Sequence, residues 1–198
     1  MNYPLRRTWA WQAFLKNLYK IKPEHAGETV PFDLSSGEVI SLFEDILNSG
    51  LRLRTRVTGG SMTPFLRGGE ILTLKKVESS SLRTGDLIFF KDRRGFPVLH
   101  RIVRKGLKND MLIFQTKGDA LLSMDDPVLG DDVLAKVSGI EKIVKSGKTI
   151  HIDTESRLQR SINYFLAVRG LCRSRFYLAV QKSSLYSSLR SLVKKTLV

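Results

Sequence analysis

Between Leu51 and Ile152 the chain is cut into short β-branched, aromatic and aliphatic runs by turn residues, and this punctuation limits the fold more than any other feature. Breaks fall at Gly68-Gly69, Thr84-Gly85, Arg94-Gly95, Asn109-Asp110, Gly118 and Ser146-Gly147. The runs between them predict strands over 51–57, 71–77, 86–91, 98–104, 111–117, 133–144 and 149–152. Strands this short and this evenly spaced favour a twisted, mainly antiparallel β barrel or sheet. The turns of such a scaffold are where a site should lie.

Helical spacing brackets this region, which makes the expected class mainly β and α+β overall. A helix is predicted over 36–48. Ser35 and Glu38 stand in capping-box spacing, Val39, Phe43, Ile46 and Leu47 form an apolar face, and Gly50 closes the element. Upstream, Trp11, Phe14, Leu15 and Leu18 repeat among Arg6, Arg7, Lys16 and Lys20, as in a helix packed on the domain or lying in a membrane interface. Pro23, Gly27 and Pro31 mark a linker. After Glu155, Leu158, Ile162, Phe165 and Leu166 resume helical spacing, followed by Leu185, Leu189 and Leu192. Three parts result: a basic amphipathic segment and linker (1–34), a helix plus β domain (35–152) and a basic helical tail (153–198).

The formal net charge of +14 is carried by the two ends. Residues 1–22 hold five basic and no acidic side chains, residues 156–198 hold nine and none, and the middle is balanced. A neutral body with two cationic ends meets an anionic surface end-first; the basic tail reads first as a packed or self-associating helix, then as a peripheral contact with an anionic membrane, and last as a nucleic-acid contact. No apolar run reaches the roughly 18 to 20 residues that span a bilayer, and no secretory signal opens the chain. A cytoplasmic protein is expected, one whose basic ends could hold it peripherally at the inner face of the membrane. The single cysteine, Cys172, forbids an internal disulfide and has no histidine in a recognisable relation to it. Zinc-ligand spacing, phosphate loops and dinucleotide fingerprints are missing from the sequence, so neither metal nor cofactor is expected.

Chemistry is suggested by Thr58-Gly59-Gly60-Ser61-Met62-Thr63-Pro64, where two glycines and a proline can hold one hydroxyl exposed and still. A serine hydroxyl needs a base to become a nucleophile. His100 is the candidate; strand alternation places it with Val98 and Ile102, away from Leu99, Arg101 and Val103. A histidine on an apolar face is usually a core residue, but this one is followed by Asp119 and Asp125, either of which could fix its tautomer. Aspartates beside glycine and proline also commonly cap turns.

The ordered series Gly60-Ser61-Met62-Thr63-Pro64, Arg67-Gly68-Gly69-Glu70, Thr84-Gly85-Asp86, Leu99-His100-Arg101-Ile102-Val103, Thr116-Lys117-Gly118-Asp119 with Asp125, and Ala135-Lys136-Val137 resembles the signal peptidase I family. The likeness is to its archaeal and endoplasmic-reticulum type, which uses histidine where bacterial enzymes use lysine, and it covers about residues 56–140. It implies a mainly β serine endopeptidase cutting peptides or proteins after small residues. Ser61 would be nucleophile and His100 general base, with Asp119 and Asp125 as the paired acids and Gly60, Met62 and Pro64 against the substrate. Two positions depart from the pattern: Gly59 replaces a serine whose hydroxyl helps bind the oxyanion, leaving Thr58 as a candidate second donor, and Glu70 replaces an aspartate. The family's membrane anchor is also not seen.

Two other readings compete. Related self-cleaving repressors use the same serine motif, and Ala26-Gly27 lies in the linker with Gly27 34 positions before Ser61. Alternatively, the β domain grips an extended peptide without cutting it.

Overall fold

A computed structural model describes residues 36–144 and 147–182. The predicted segment 1–22, the Ala26-Gly27 bond, the Ser35 cap and the leucines at 185, 189 and 192 lie outside the described residues. In chain order the elements are α1 (Ser36–Asn48), β1 (Leu53–Arg56), β2 (Ile71–Lys75), β3 (Leu87–Lys91), β4 (Pro97–Lys108), β5 (Met111–Lys117), β6 (Val128–Leu129), β7 (Val133–Ile143), β8 (Thr149–Asp153) and α2 (Arg157–Lys182). The strands form one antiparallel sheet in the order β1-β2-β7-β3-β4-β5-β6, with β8 also on β7. The sheet is open, so of the two expected forms, barrel or sheet, the molecule takes the second.

β7 is the spine, and its length lets it serve three partners. Residues 136–141 pair with β2, 133–136 with β3, and 139–143 with β8. The run Leu87-Ile88-Phe89-Phe90 in β3 is buried on both faces, as expected of an interior strand. Leu87 and Phe89 join a core with Val57, Met62, Leu66, Leu72 and Val137, while Ile88 and Phe90 join a second with Ile102, Phe114, Val128 and Val133. α1 closes the first core with Ile40, Phe43 and Leu47, a stripe at helical spacing, and Phe43 meets the Phe89 ring at 6.0 Å between centroids. Beyond α1, Gly50 turns the chain at φ 80°, as its position after the last apolar residue predicts.

All seven predicted strands form, and two differences have a physical cause. β4 runs on past Arg104 through Gly106 to Lys108, because its pairing with β5 continues to a two-residue turn. There Asn109 and Asp110 take φ 49° and 60°, the left-handed pair that matches strand twist in a tight hairpin. β6 was not predicted; with two residues it is too short to show alternation, and it forms only because Ile113 and Phe114 supply a partner edge.

α2 packs through a face different from the one its leucines suggest. Asn163, Ala167 and Ser174 are buried, whereas Leu158 is 74% and Phe165 67% exposed. The helix backbone comes so close to the sheet that a side chain at Gly85, which has φ 101°, would stand 2.8 Å from the Tyr164 nitrogen. No helix among the described residues is long and apolar enough to cross a membrane.

Candidate active site

Three stretches converge near the start of β4 and the end of β5: the Ser61 turn, the strand carrying His100, and the loop from Gly118 to Asp125. Thr63 N donates to Gly60 O at 3.1 Å and Leu66 N to Met62 O at 2.9 Å, folding the residues around Ser61 into one tight turn. Met62 and Leu66 anchor it in the first core. Met62 is therefore turned inward, Gly60 and Pro64 are exposed, and Ser61 is half-buried. Glu70 receives Arg67 N and Gly68 N at 2.8 Å each, so the longer acid closes the following loop by two backbone bonds.

His100 lies on the face that alternation predicts, near Phe90 and beside Ile102, and is 2% exposed. Its Nδ1 is 2.6 Å from Asp125 Oδ2, which also accepts Thr116 Oγ1 at 2.9 Å. Asp125 is fixed in turn by its own N–H, which donates to Thr116 O at 3.0 Å. A carboxylate at Nδ1 favours the proton there, which leaves Nε2 as an acceptor. Nε2 points at Gly118: a side chain at that glycine would begin 2.9 Å from Nε2 and 2.7 Å from the Ser61 carbonyl. The Ser61 backbone and the free imidazole nitrogen thus flank one point, and only glycine fits between them. Ala120 N donates to Ser61 O at 2.9 Å, tying the acidic loop to the turn.

Asp119 faces elsewhere. Arg101, 0% exposed, reaches it with Nε to Oδ1 at 2.9 Å and Nη2 to Oδ2 at 2.8 Å. The remaining Arg101 nitrogen, Nη1, donates to Gly85 O at 3.1 Å and to Asn163 Oδ1 in α2 at 3.2 Å. Its guanidinium stacks 4.7 Å from the Phe65 ring centroid, on the Ser61 turn. The six-residue spacing of the two aspartates therefore delivers one to the imidazole and the other to a buried cation.

Sequence reasoning assigned no role to Arg101, Thr116, Lys117, Arg173 or Ser174. The available signal was a charged residue inside an apolar strand, Arg101, which needs a partner if a helix covers it. Lys117 is likewise buried and donates to Gly118 O at 3.2 Å. Burial holds its pKa below the usual 10.5, Arg173 and Arg169 push the same way, and Asp119 and Asp125 oppose them. Asp86 and Lys136, both in the motif series, form a buried ion pair of 2.9 Å that ties β7 to the turn before β3. Beside the Ser61 turn a cleft of about 280 Å³ opens between Pro64, Phe65 and Asp119 on one side and Leu166, Arg169 and Arg173 on the other. Among the described residues no group of three or more His, Cys, Asp or Glu side chains is placed to hold a metal ion.

Two known proteins are similar to parts of this chain. Signal peptidase I W of Bacillus subtilis is 34% identical over 87 residues, 43% of this chain and 46% of that protein. The catalytic subunit of the signal peptidase complex of Candida tropicalis is 34% identical over 64 residues, 32% of this chain and 38% of that protein. These matches relate the chain to the signal peptidase I family and support a peptidase function in general. The chain spans less than half the length of these curated relatives. No protein-family profile and no solved structure matches it.

Proposed function

We propose that the protein is a serine endopeptidase of the signal-peptidase type, with Ser61 as nucleophile and His100 as general base. The observation that carries this reading is the imidazole held by Asp125 at 2.6 Å while its other nitrogen faces the glycine that separates it from Ser61. On this reading Ser61 Oγ attacks the substrate carbonyl and its proton passes to His100 Nε2. Asp125 stabilises the imidazolium without taking its proton. Collapse of the tetrahedral intermediate returns that proton to the leaving amine and leaves an ester on Ser61. Water, deprotonated by the same nitrogen, then frees the acid. The Ser61 N–H and a donor near Thr58 receive the oxyanion, Gly60 and Pro64 line the substrate's path, and no cofactor takes part. Asp119 serves by holding Arg101 and the loop.

The substrate is an extended peptide or protein with small residues before the scissile bond. We place the enzyme in the cytoplasm, at the inner face of the membrane, with the exposed Leu158, Phe165 and Phe176 of α2, and its exposed Arg157 and Arg175, against anionic lipid. A quenched fluorescent peptide of that composition, together with a serine-reactive probe, tests the central claim. Wild type should cleave the peptide and accept the probe. Ser61→Ala and His100→Ala should each lower kcat by about 10⁴-fold or more, Ser61→Ala with unchanged thermal unfolding and His100→Ala with a lowered Tm, because removing its buried ring also leaves Asp125 without that partner. Full activity of His100→Ala would remove the proposed base.

A further inference from the structure

The family likeness covers about 56–140, yet α2, which starts at Arg157, reaches the acidic loop directly. Arg173 Nη2 donates to Ala120 O at 3.1 Å and Nη1 to Asp119 O at 3.5 Å. Ser174, 1% exposed, donates from Oγ to Leu122 O at 2.7 Å. Nearer the start of the helix, Asn163 accepts the Arg101 guanidinium that grips the Asp119 carboxylate. These residues follow β5, where the loop leaves the sheet and its carbonyls need other donors. The loop is thus pinned at its near end by Ala120 N on Ser61 O, at its far end by Asp125 N on Thr116 O, and in between by α2.

Small residues make this approach feasible. Ala167 is buried at the contact, a side chain at Gly170 would start 3.7 Å from Lys117 Nζ, and Gly85 leaves room for the helix backbone at Tyr164. The helix therefore rests on the same strands and turns that carry Gly85, Arg101 and Lys117. A cover that served only to bury apolar surface would present its leucines to the sheet. α2 presents an asparagine, a serine and an arginine to the polar groups of the loop.

We propose that α2 is a positioning element for the active site: Arg173 and Ser174 hold residues 119–122 so that Ala120 stays on Ser61 and Asp125 stays on His100. The inference deepens the peptidase reading and rests on it for its kinetic consequence, though its geometric consequence stands apart. Ser174→Ala, Arg173→Met and the double variant, made in the full chain, separate the two. Native-state amide exchange is measured at Ala120 and Asp125 and, as a reference, at Ile88 in the centre of the sheet. In the variants the first two amides should exchange about 10-fold faster or more while Ile88 is unchanged, because only the loop loses its ties. kcat should fall about 10-fold to 100-fold with KM nearly constant, and Arg173→Lys, which keeps a cationic donor group, should recover part of it.

Uniform acceleration at all three amides would reduce α2 to a general stabiliser and overturn the proposal, as would unchanged exchange and unchanged kcat in the folded double variant. If wild type cleaves nothing, the peptidase reading fails while the exchange pattern still decides the role of α2. Should the double variant not fold, Ser174→Ala, which removes one oxygen, carries the same comparison.

Discussion

Removing the two acidic side chains one at a time should produce opposite failures. In Asp125→Ala the imidazole loses the acceptor 2.6 Å from Nδ1, and Thr116 Oγ1 loses its partner at 2.9 Å. Nothing then prevents the imidazole from carrying its proton on Nε2, where it cannot accept from Ser61. Loss of the carboxylate behind a catalytic histidine costs about 10⁴-fold in kcat. The stability cost should be small, about 1 to 2 kcal/mol, because one hydrogen-bonded group is lost from a partly open site. In Asp119→Ala the buried Arg101 loses both bonds to its counter-ion and keeps Gly85 O and Asn163 Oδ1. An uncompensated buried charge costs about 3 to 5 kcal/mol, and the two surviving acceptors favour the lower figure. For a chain of this size about 3 kcal/mol lowers Tm by roughly 6 to 12 °C. kcat should fall by no more than about 10²-fold, through loosening of the loop. The assay is peptide turnover per probe-titrated active site beside thermal unfolding. The Arg101→Met, Asp119→Ala double variant should regain much of the lost Tm, since both members of the pair are then gone. An Asp119→Ala protein as stable as wild type but about 10⁴-fold slower would refute this division of roles, as would an Asp125→Ala protein within about 10-fold of wild type.

Three further outcomes are expected. Gly85→Ala should lower Tm and expose α2 to limited proteolysis, since the new Cβ would lie 2.8 Å from Tyr164 N and its φ is 101°. Lys117→Met should raise Tm at neutral pH. The lysine pKa is lower in the folded chain than its usual 10.5, so the folded state binds fewer protons and wild-type stability climbs as pH rises from the folded value towards 10.5. Lys142, also lowered by burial, contributes with the same sign, and the methionine variant should show a flatter climb in pH-dependent unfolding. Gly59→Ser tests the oxyanion site: a Cβ there meets nothing within 4 Å, so the position has room for a side chain to start. If that hydroxyl reaches the oxyanion, kcat should rise, by up to about 10²-fold, with little change in KM.

The parts of the fold legible in the sequence are those set by local rules. Glycine turns delimit strands, and the stripe at Phe43 and Leu47 finds the one face α1 can bury. β6 is set by a neighbour's free edge, and the extension of β4 by the register of its hairpin; neither has a local signature. For α2 the apolar rule points to the wrong face, because the contact with the sheet is polar and close, and close approach selects Ala167, Gly170 and Ser174 over leucine. The same limit applies to the site. Ser61, His100 and Asp125 are recognisable in series, but the choice between the two aspartates depends on where Arg101 points, and that is fixed by Asn163, 62 residues later.

The pairing of Arg101 with Asp119 also has an electrostatic consequence for the base beside it. Adjacent residues on a strand face opposite sides, so His100 and Arg101 are presented to different faces of β4 while remaining neighbours along the chain. Two uncompensated carboxylates in one short loop would both act on the imidazole. The guanidinium, bound through two nitrogens to Asp119, cancels one of those charges locally. Asp125 is then the carboxylate left to orient the ring, with Thr116 sharing its oxygen and moderating it. Arg101→Gln tests this balance: by leaving Asp119 without its cation it should move the acid limb of kcat/KM to higher pH, an effect that loss of packing alone would not produce.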